Sequence, residues 1–211
     1  MQNLKNNVGA GLEPALMNKK KKSELVNKLV GVLAIQGDFE AHIKMIKELE
    51  VDYKEIRNPH DLANVTHLIM PGGESTTIRL VAQKNGLWDR LKKFAGPIMG
   101  TCMGSILMAK KIESPSADGM NLIDMTISRN AYGRQVNSFT AFGKIEFIKN
   151  DYEMVFIRAP KIMSFGEDIK PIAWLDNEIT GVIYKNRLAL TFHPELSGDT
   201  AVHNYFLNLT A

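Results

Sequence analysis

Three short segments of the chain hold the residue types of nucleophilic catalysis. The first is Gly100-Thr101-Cys102-Met103-Gly104, a G-x-C-x-G run between a strand-like and a helix-like segment. It is the cysteine counterpart of the nucleophile elbow G-x-S-x-G. Flanking glycines allow the sharp turn that projects a thiol at the carboxyl edge of a sheet. A helix opening there favours the thiolate and leaves backbone N–H groups for an oxyanion. A lone cysteine is also commonly a small buried hydrophobe, so the reading needs a base. Of the five histidines, His42 falls in a helical segment, His60 follows a proline and His203 falls in the last helix. His193 is followed by Pro194 and Glu195 and comes directly after an apolar run. If the chain stays extended to Glu195, the two side chains project the same way. A carboxylate beside an imidazole fixes its tautomer and stabilises the imidazolium; a turn with an incidental histidine is the plainer alternative. The third segment is Pro71-Gly72-Gly73-Glu74-Ser75-Thr76-Thr77, again at a strand end and opening a helix. It suits an anion or oxyanion, or is simply a capped turn, and it lacks the Gly-Lys-Ser/Thr of a Walker A loop.

These segments need a scaffold that brings strand ends together. Leu29 to Ile35 is a continuous apolar run, as in a strand buried on both faces. Asp38 is placed to cap a helix with Phe39, Ile43, Ile46 and Leu49 on one face. Strands follow at 52–56 and 67–70, helices at 74–84 and 87–94, a strand at 97–99 and a helix at 105–111. This β-α alternation predicts an α/β fold with an open, mostly parallel sheet. The second half predicts short strands at 144–148, 154–157, 172–175, 179–184 and 188–192, then a helix over 200–209.

Forty-five per cent of the 211 residues are apolar and 23% are charged, which excludes disordered, collagen-like and disulfide-scaffold classes. Cys102 is the single cysteine, so an internal disulfide or multi-cysteine zinc site is excluded and a reducing, cytoplasmic setting is expected. No apolar run approaches the ~18 residues of a membrane span. Residues 1–28 hold six lysines against two glutamates, a net +4, so the remainder carries −1 of the total +3. The basicity therefore belongs to the tail, expected as a disordered extension over 1–28 ahead of a catalytic domain over 29–211. The run Lys19–Lys22 is a solvated block or a contact to an anionic surface. The body offers no basic field for nucleic acid.

Taken in order, Pro-Gly-Gly-Glu-Ser, Gly-Thr-Cys-x-Gly and Phe-His-Pro-Glu resemble the class I glutamine amidotransferases. Further segments narrow the resemblance to the family of glutaminase subunits of pyridoxal 5′-phosphate synthase. These are Leu33–Asp38, Pro71–Thr77, Arg129–Gln135 with Asn137–Phe139, Ile157–Pro160 and Phe192–Leu196. The resemblance implies a three-layer, flavodoxin-like fold with helices on both sheet faces. It also implies hydrolysis of L-glutamine by Cys102 as nucleophile, His193 as base and acid, and Glu195 as its orienting partner. The N–H groups of Gly73 and Met103 would hold the oxyanion. Gly73, Glu74, Ser75, Arg129, Ile157 and Arg158 would line the glutamine site, an arginine suiting the α-carboxylate and a glutamate the α-ammonium; which arginine does so stays open. Ammonia would pass to a (β/α)8-barrel synthase subunit, and the chain itself would need no metal or bound cofactor. Two departures stand out: Met103 replaces a smaller residue, and Lys161 a frequent histidine. A silent regulatory subunit with Met103 filling the pocket, or a glutaminase serving another pathway, are the rival implications.

Overall fold

The computed structural model describes residues 27–113, 117–129 and 138–210. The first apolar run forms β1 (Leu29–Leu33), buried from Val30 onward. After it come α1 (Phe39–Glu48), β2 (Asp52–Ile56), a 3-10 turn at Pro59–Leu62 and β3 (His67–Met70). The first half ends with α2 (Ser75–Lys84), α3 (Leu87–Lys92), β4 (Ile98–Thr101) and α4 (Met103–Met108). The second half is strands: β5 (Ala109–Glu113), β6 (Ala117–Asp118), β7 (Ile123–Ser128), β8 (Ser138–Ile145), β9 (Tyr152–Ile157), β10 (Lys161–Phe165), β11 (Lys170–Leu175), β12 (Glu178–Tyr184) and β13 (Arg187–Leu190). A 3-10 turn at Pro194–Leu196 leads to α5 (Ala201–Leu207).

Nine strands form one sheet in the order β2-β1-β3-β4-β13-β12-β11-β8-β9. The first five pair in parallel, and their order is that of flavodoxin-like sheets, with the winding reversing between β1 and β3. The remaining four are antiparallel. The expected α/β class stands, but the sheet is mixed rather than mostly parallel. The cause is connection length. Two residues join β12 to β13 and two join β11 to β12, with Lys185 and Asp176 at positive φ, and links that short make antiparallel hairpins.

A second sheet, β10-β7-β5-β6, was not expected. The predicted helix over 105–111 starts earlier and stops at Met108, where Ala109 turns extended (φ −63°, ψ 156°). Residues 109–113 instead pair in parallel with β7. Tertiary pairing overrides a modest helix propensity there.

Helices cover both faces of the large sheet. Ile43 and Ile46 of α1 pack with Val202 and Phe206 of α5 against Val30, Val32 and Ile69. On the other face, Ile78, Leu91 and Ile106 of α2, α3 and α4 pack against Leu33, Leu68 and Met70. The small sheet joins that same core through Ile112, Ile123, Met125 and Ile127. Among the described residues, no helix is long and apolar enough to cross a membrane. The expected basic extension, up to residue 26, and residues 130–137 lie outside the described residues.

Candidate active site

Cys102 is the single residue between β4 and α4. Its backbone sits at φ 48°, ψ −108°, a strained conformation for a residue with a Cβ and one that clusters at functional sites. The surroundings enforce it. The Cys102 N–H donates to the Leu190 carbonyl of β13 (2.8 Å), and the Ser105 hydroxyl donates to the Cys102 carbonyl (2.6 Å). Gly104 lets α4 press onto β3, because a Cβ there would lie 1.8 Å from the Met70 carbonyl oxygen. Cys102 is 6% exposed, and its thiol donates weakly to the Ile157 carbonyl at 3.6 Å.

His193 follows β13, and its N–H donates to the Val155 carbonyl of β9 (2.8 Å). The expected extended course to Glu195 is not what forms, since Pro194–Leu196 is a 3-10 turn. That turn still brings His193 Nδ1 to 2.7 Å from Glu195 Oε1. Tyr152 of β9 holds the loop in place, with its hydroxyl 2.6 Å from Ser197 Oγ and 3.2 Å from the Asp199 carbonyl. Burial pushes the His193 pKa down, but the Cys102 and Glu195 side chains outweigh it and lift it to about 10. Burial likewise works against the Glu195 carboxylate, yet His42 and His193 hold its pKa well below the usual carboxylate range. His193 Nε2 is buried without a hydrogen-bond partner among the described residues, so the nitrogen that would serve the thiol is available.

A cleft of about 650 Å³ opens at these strand ends, and its lining gathers every residue the sequence nominated for the site except Glu195. Cys102, Met103 and His193 line it, with Gly73, Glu74 and Ser75 from the start of α2 and Arg129, Ile157 and Arg158 from the far rim. Glu195 stands behind His193, 3% exposed. Both Glu74 carboxylate oxygens cap α2, accepting from the N–H groups of Thr76 (2.9 Å) and Thr77 (2.7 Å). The Thr77 hydroxyl, with these amides, pulls the Glu74 pKa down to about 2. Arg129 Nε is buried and unpartnered among the described residues, leaving a donor within the lining. Met103 is 3% exposed and packs with the core under α2 and β3.

Sequence reasoning missed several residues of the site. Gln36, after β1, accepts from the Glu74 N–H (2.6 Å) and so ties two loops together. Asp38 makes no cap bond to α1; its carboxylate lies within 4.8 Å of ring and carboxylate atoms of His193 and Glu195. Behind Glu195 stand His42, Thr101 and His203, all fully buried. In the sequence His42 and His203 look like plain helical residues, and only their pairing across 161 residues reveals more.

Known proteins are similar to this chain over most of its length. The pyridoxal 5′-phosphate synthase subunit PdxT of Thermococcus kodakarensis is 45% identical over 190 residues, covering 84% of this chain and 96% of the relative. The protein of the same name from Pyrococcus horikoshii is 42% identical over 190 residues, covering 84% and 97%. A crystal structure of a glutamine amidotransferase superposes with a TM-score of 0.80 at 39% identity, covering 84% of this chain and 96% of its own. The model of the SNO glutamine amidotransferase family matches residues 32–210, and the chain belongs to that family.

Proposed function

We propose that this chain is the glutaminase subunit of a pyridoxal 5′-phosphate synthase. It hydrolyses L-glutamine to L-glutamate and ammonia and hands the ammonia to a (β/α)8-barrel synthase subunit in the cytoplasm. The observation that carries the proposal is that Cys102 and His193 line one cleft with Glu195 behind the imidazole, His193 Nδ1 lying 2.7 Å from Glu195 Oε1.

In this reading Cys102 Sγ attacks the side-chain amide carbon of glutamine. His193 carries the thiol proton and delivers it to the departing ammonia. The oxyanion is met by the N–H groups of Gly73 and Met103, each such donor being worth about 10²–10³ in rate. Water then hydrolyses the thioester by the same groups in reverse. Arg129 and Arg158 are the cations on the cleft wall for the α-carboxylate, and Glu74 is the carboxylate for the α-ammonium. Glu74 stays ionised throughout the working range. Met103 packs with the core while lining the cleft, and a cleft of about 650 Å³ remains beside it, which supports an active subunit over a silent one.

The test is ammonia release from glutamine by the chain with and without the synthase subunit. Cys102→Ala should abolish it with the fold intact, and a diazoketone analogue of glutamine should label Cys102 alone. Undiminished release from Cys102→Ala would end the proposal.

A further inference from the structure

The carboxylate of Glu195 has two oxygens, and the Cys-His-Glu reading uses one. Oε1 faces His193 at 2.7 Å. Oε2 faces His42 Nε2 at 3.2 Å, with both side chains fully buried. His42 Nε2 also lies 3.0 Å from Thr101 Oγ1, and His42 Nδ1 lies 2.9 Å from His203 Nε2. The four side chains come from separate places in the fold: His42 from α1, Thr101 from the end of β4, His203 from α5 and Glu195 from the turn after β13. Buried polar groups persist when each finds a partner, and this cluster sits under the site with no exposed member.

Proton bookkeeping favours a proton on His42 Nε2. A neutral His42 with its proton on Nε2 donates to Thr101 Oγ1 with Glu195 Oε2 alongside, and accepts on Nδ1 from His203 Nε2–H. His203 is then left with a bare Nδ1, the one nitrogen of the pair without a partner among the described residues. A cationic His42 would donate at both nitrogens and force the His203 proton onto that same Nδ1. That would bury an unsatisfied N–H. In either state the His42 Nε2–H serves Thr101 Oγ1 at 3.0 Å, and Glu195 Oε2, which has no hydrogen-bond partner among the described residues, meets the same nitrogen as a close polar contact at 3.2 Å.

We propose that His42 is a positioning residue for the triad. It locks the second oxygen of Glu195, so that the first stays an ionised, fixed acceptor for His193 Nδ1–H; His203 holds His42 in the tautomer that does this. Without His42, Oε2 loses its close polar neighbour at 3.2 Å, the carboxylate turns or takes up a proton, and the imidazole loses its orientation. The inference rests on the glutaminase reading and deepens it.

Three variants of His42 separate positioning from packing. His42→Gln places an amide donor where Nε2 stood. His42→Asn places it where Nδ1 stood, within reach of His203 and short of Glu195. His42→Met keeps comparable bulk without a donor. Steady-state glutamine hydrolysis is measured for each at saturating synthase subunit, beside thermal midpoints and the rate at which the diazoketone labels Cys102. His42→Gln should keep kcat within about threefold. His42→Asn and His42→Met should lose about tenfold to a hundredfold in kcat and in labelling rate, the scale of one charge-assisted hydrogen bond, with KM little changed. If His42→Met does not fold, the Gln and Asn pair still decides. Wild-type kcat in His42→Asn, or an equal fall in His42→Gln, overturns the inference. Failure of the glutaminase reading looks different: the wild-type chain with its partner would release no ammonia that depends on Cys102.

Discussion

At the scale of residues, the buried histidines set how the molecule responds to pH. Burial, followed by the charge of His42, lowers the His203 pKa to about 3. Burial, followed by Lys28, lowers that of His67 to about 4. Both begin from an ordinary value of 6.5. Between 6.5 and those values the unfolded chain binds protons that the folded chain refuses, so stability falls as pH falls through that window. Glu195, held below its ordinary value, adds a loss in the same direction at lower pH. His193 acts oppositely. Its pKa is raised to about 10, so its contribution is complete below 6.5 and is lost as pH rises through about 10. Thermal midpoints should therefore decline on both sides of neutrality. His203→Gln should flatten the acid limb between pH 6.5 and 4 by up to about 1.4 kcal/mol per pH unit, whatever it costs at pH 7. An acid limb as steep as that of the parent would show that His203 is not the buried neutral group described.

At the scale of elements, the site is an edge where loops from β1, β3, β4 and β13 meet, and the contacts between loops are as tight as those in the core. A Cβ on Gly72 would lie 2.4 Å from His193 Cε1. The backbone of Gly72 is not at positive φ, so Gly72→Ala should fold and act only by displacing the imidazole. A misplacement of that size costs on the order of 10² in rate. We expect kcat to fall by about that factor while the thermal midpoint moves by a few degrees; unchanged kcat would mean that the His193 loop yields freely. These loops were the legible part of the sequence, since Gly72, Gly104 and the apolar runs that precede them carry local signals of turn and strand. The small sheet was not read, although Ile123, Met125 and Ile127 alternate with Asp124 and Thr126 in the period of a half-buried strand. Its partner β5 comes from a stretch that looks helical in isolation and is settled only by pairing with β7. His42 and His203 stayed hidden for a similar reason: each looks like a plain helical residue until the winding brings α1 and α5 together on one face.

At the scale of the whole molecule, the question is what keeps a glutaminase from spending glutamine when no acceptor is present. The thiol of Cys102 reaches the Ile157 carbonyl 3.6 Å away and also stands close enough to His193 to raise its pKa, although His193 Nε2 completes no hydrogen bond among the described residues. The chemical step needs the thiol aligned on that nitrogen and both oxyanion donors turned to the substrate. Ile157 ends β9, the last strand of the large sheet, and is 37% exposed, so the group that now engages the thiol lies on an accessible rim. A synthase subunit that binds the aligned arrangement better than the resting one shifts the population by its differential affinity and by no more than that. Turning one oxyanion donor to the substrate is worth about 10²–10³ in rate. Glutaminase activity should accordingly be weak in the isolated chain and rise by about that factor, mainly in kcat, when the synthase subunit is added. Because coupling between two binding sites is reciprocal, glutamine should tighten the complex of the two subunits, measurable by calorimetry with Cys102→Ala to prevent turnover. Equal kcat with and without the partner, together with an affinity between subunits that ignores glutamine, would place the aligned site in the isolated chain and leave the restraint on glutamine use to something other than this contact.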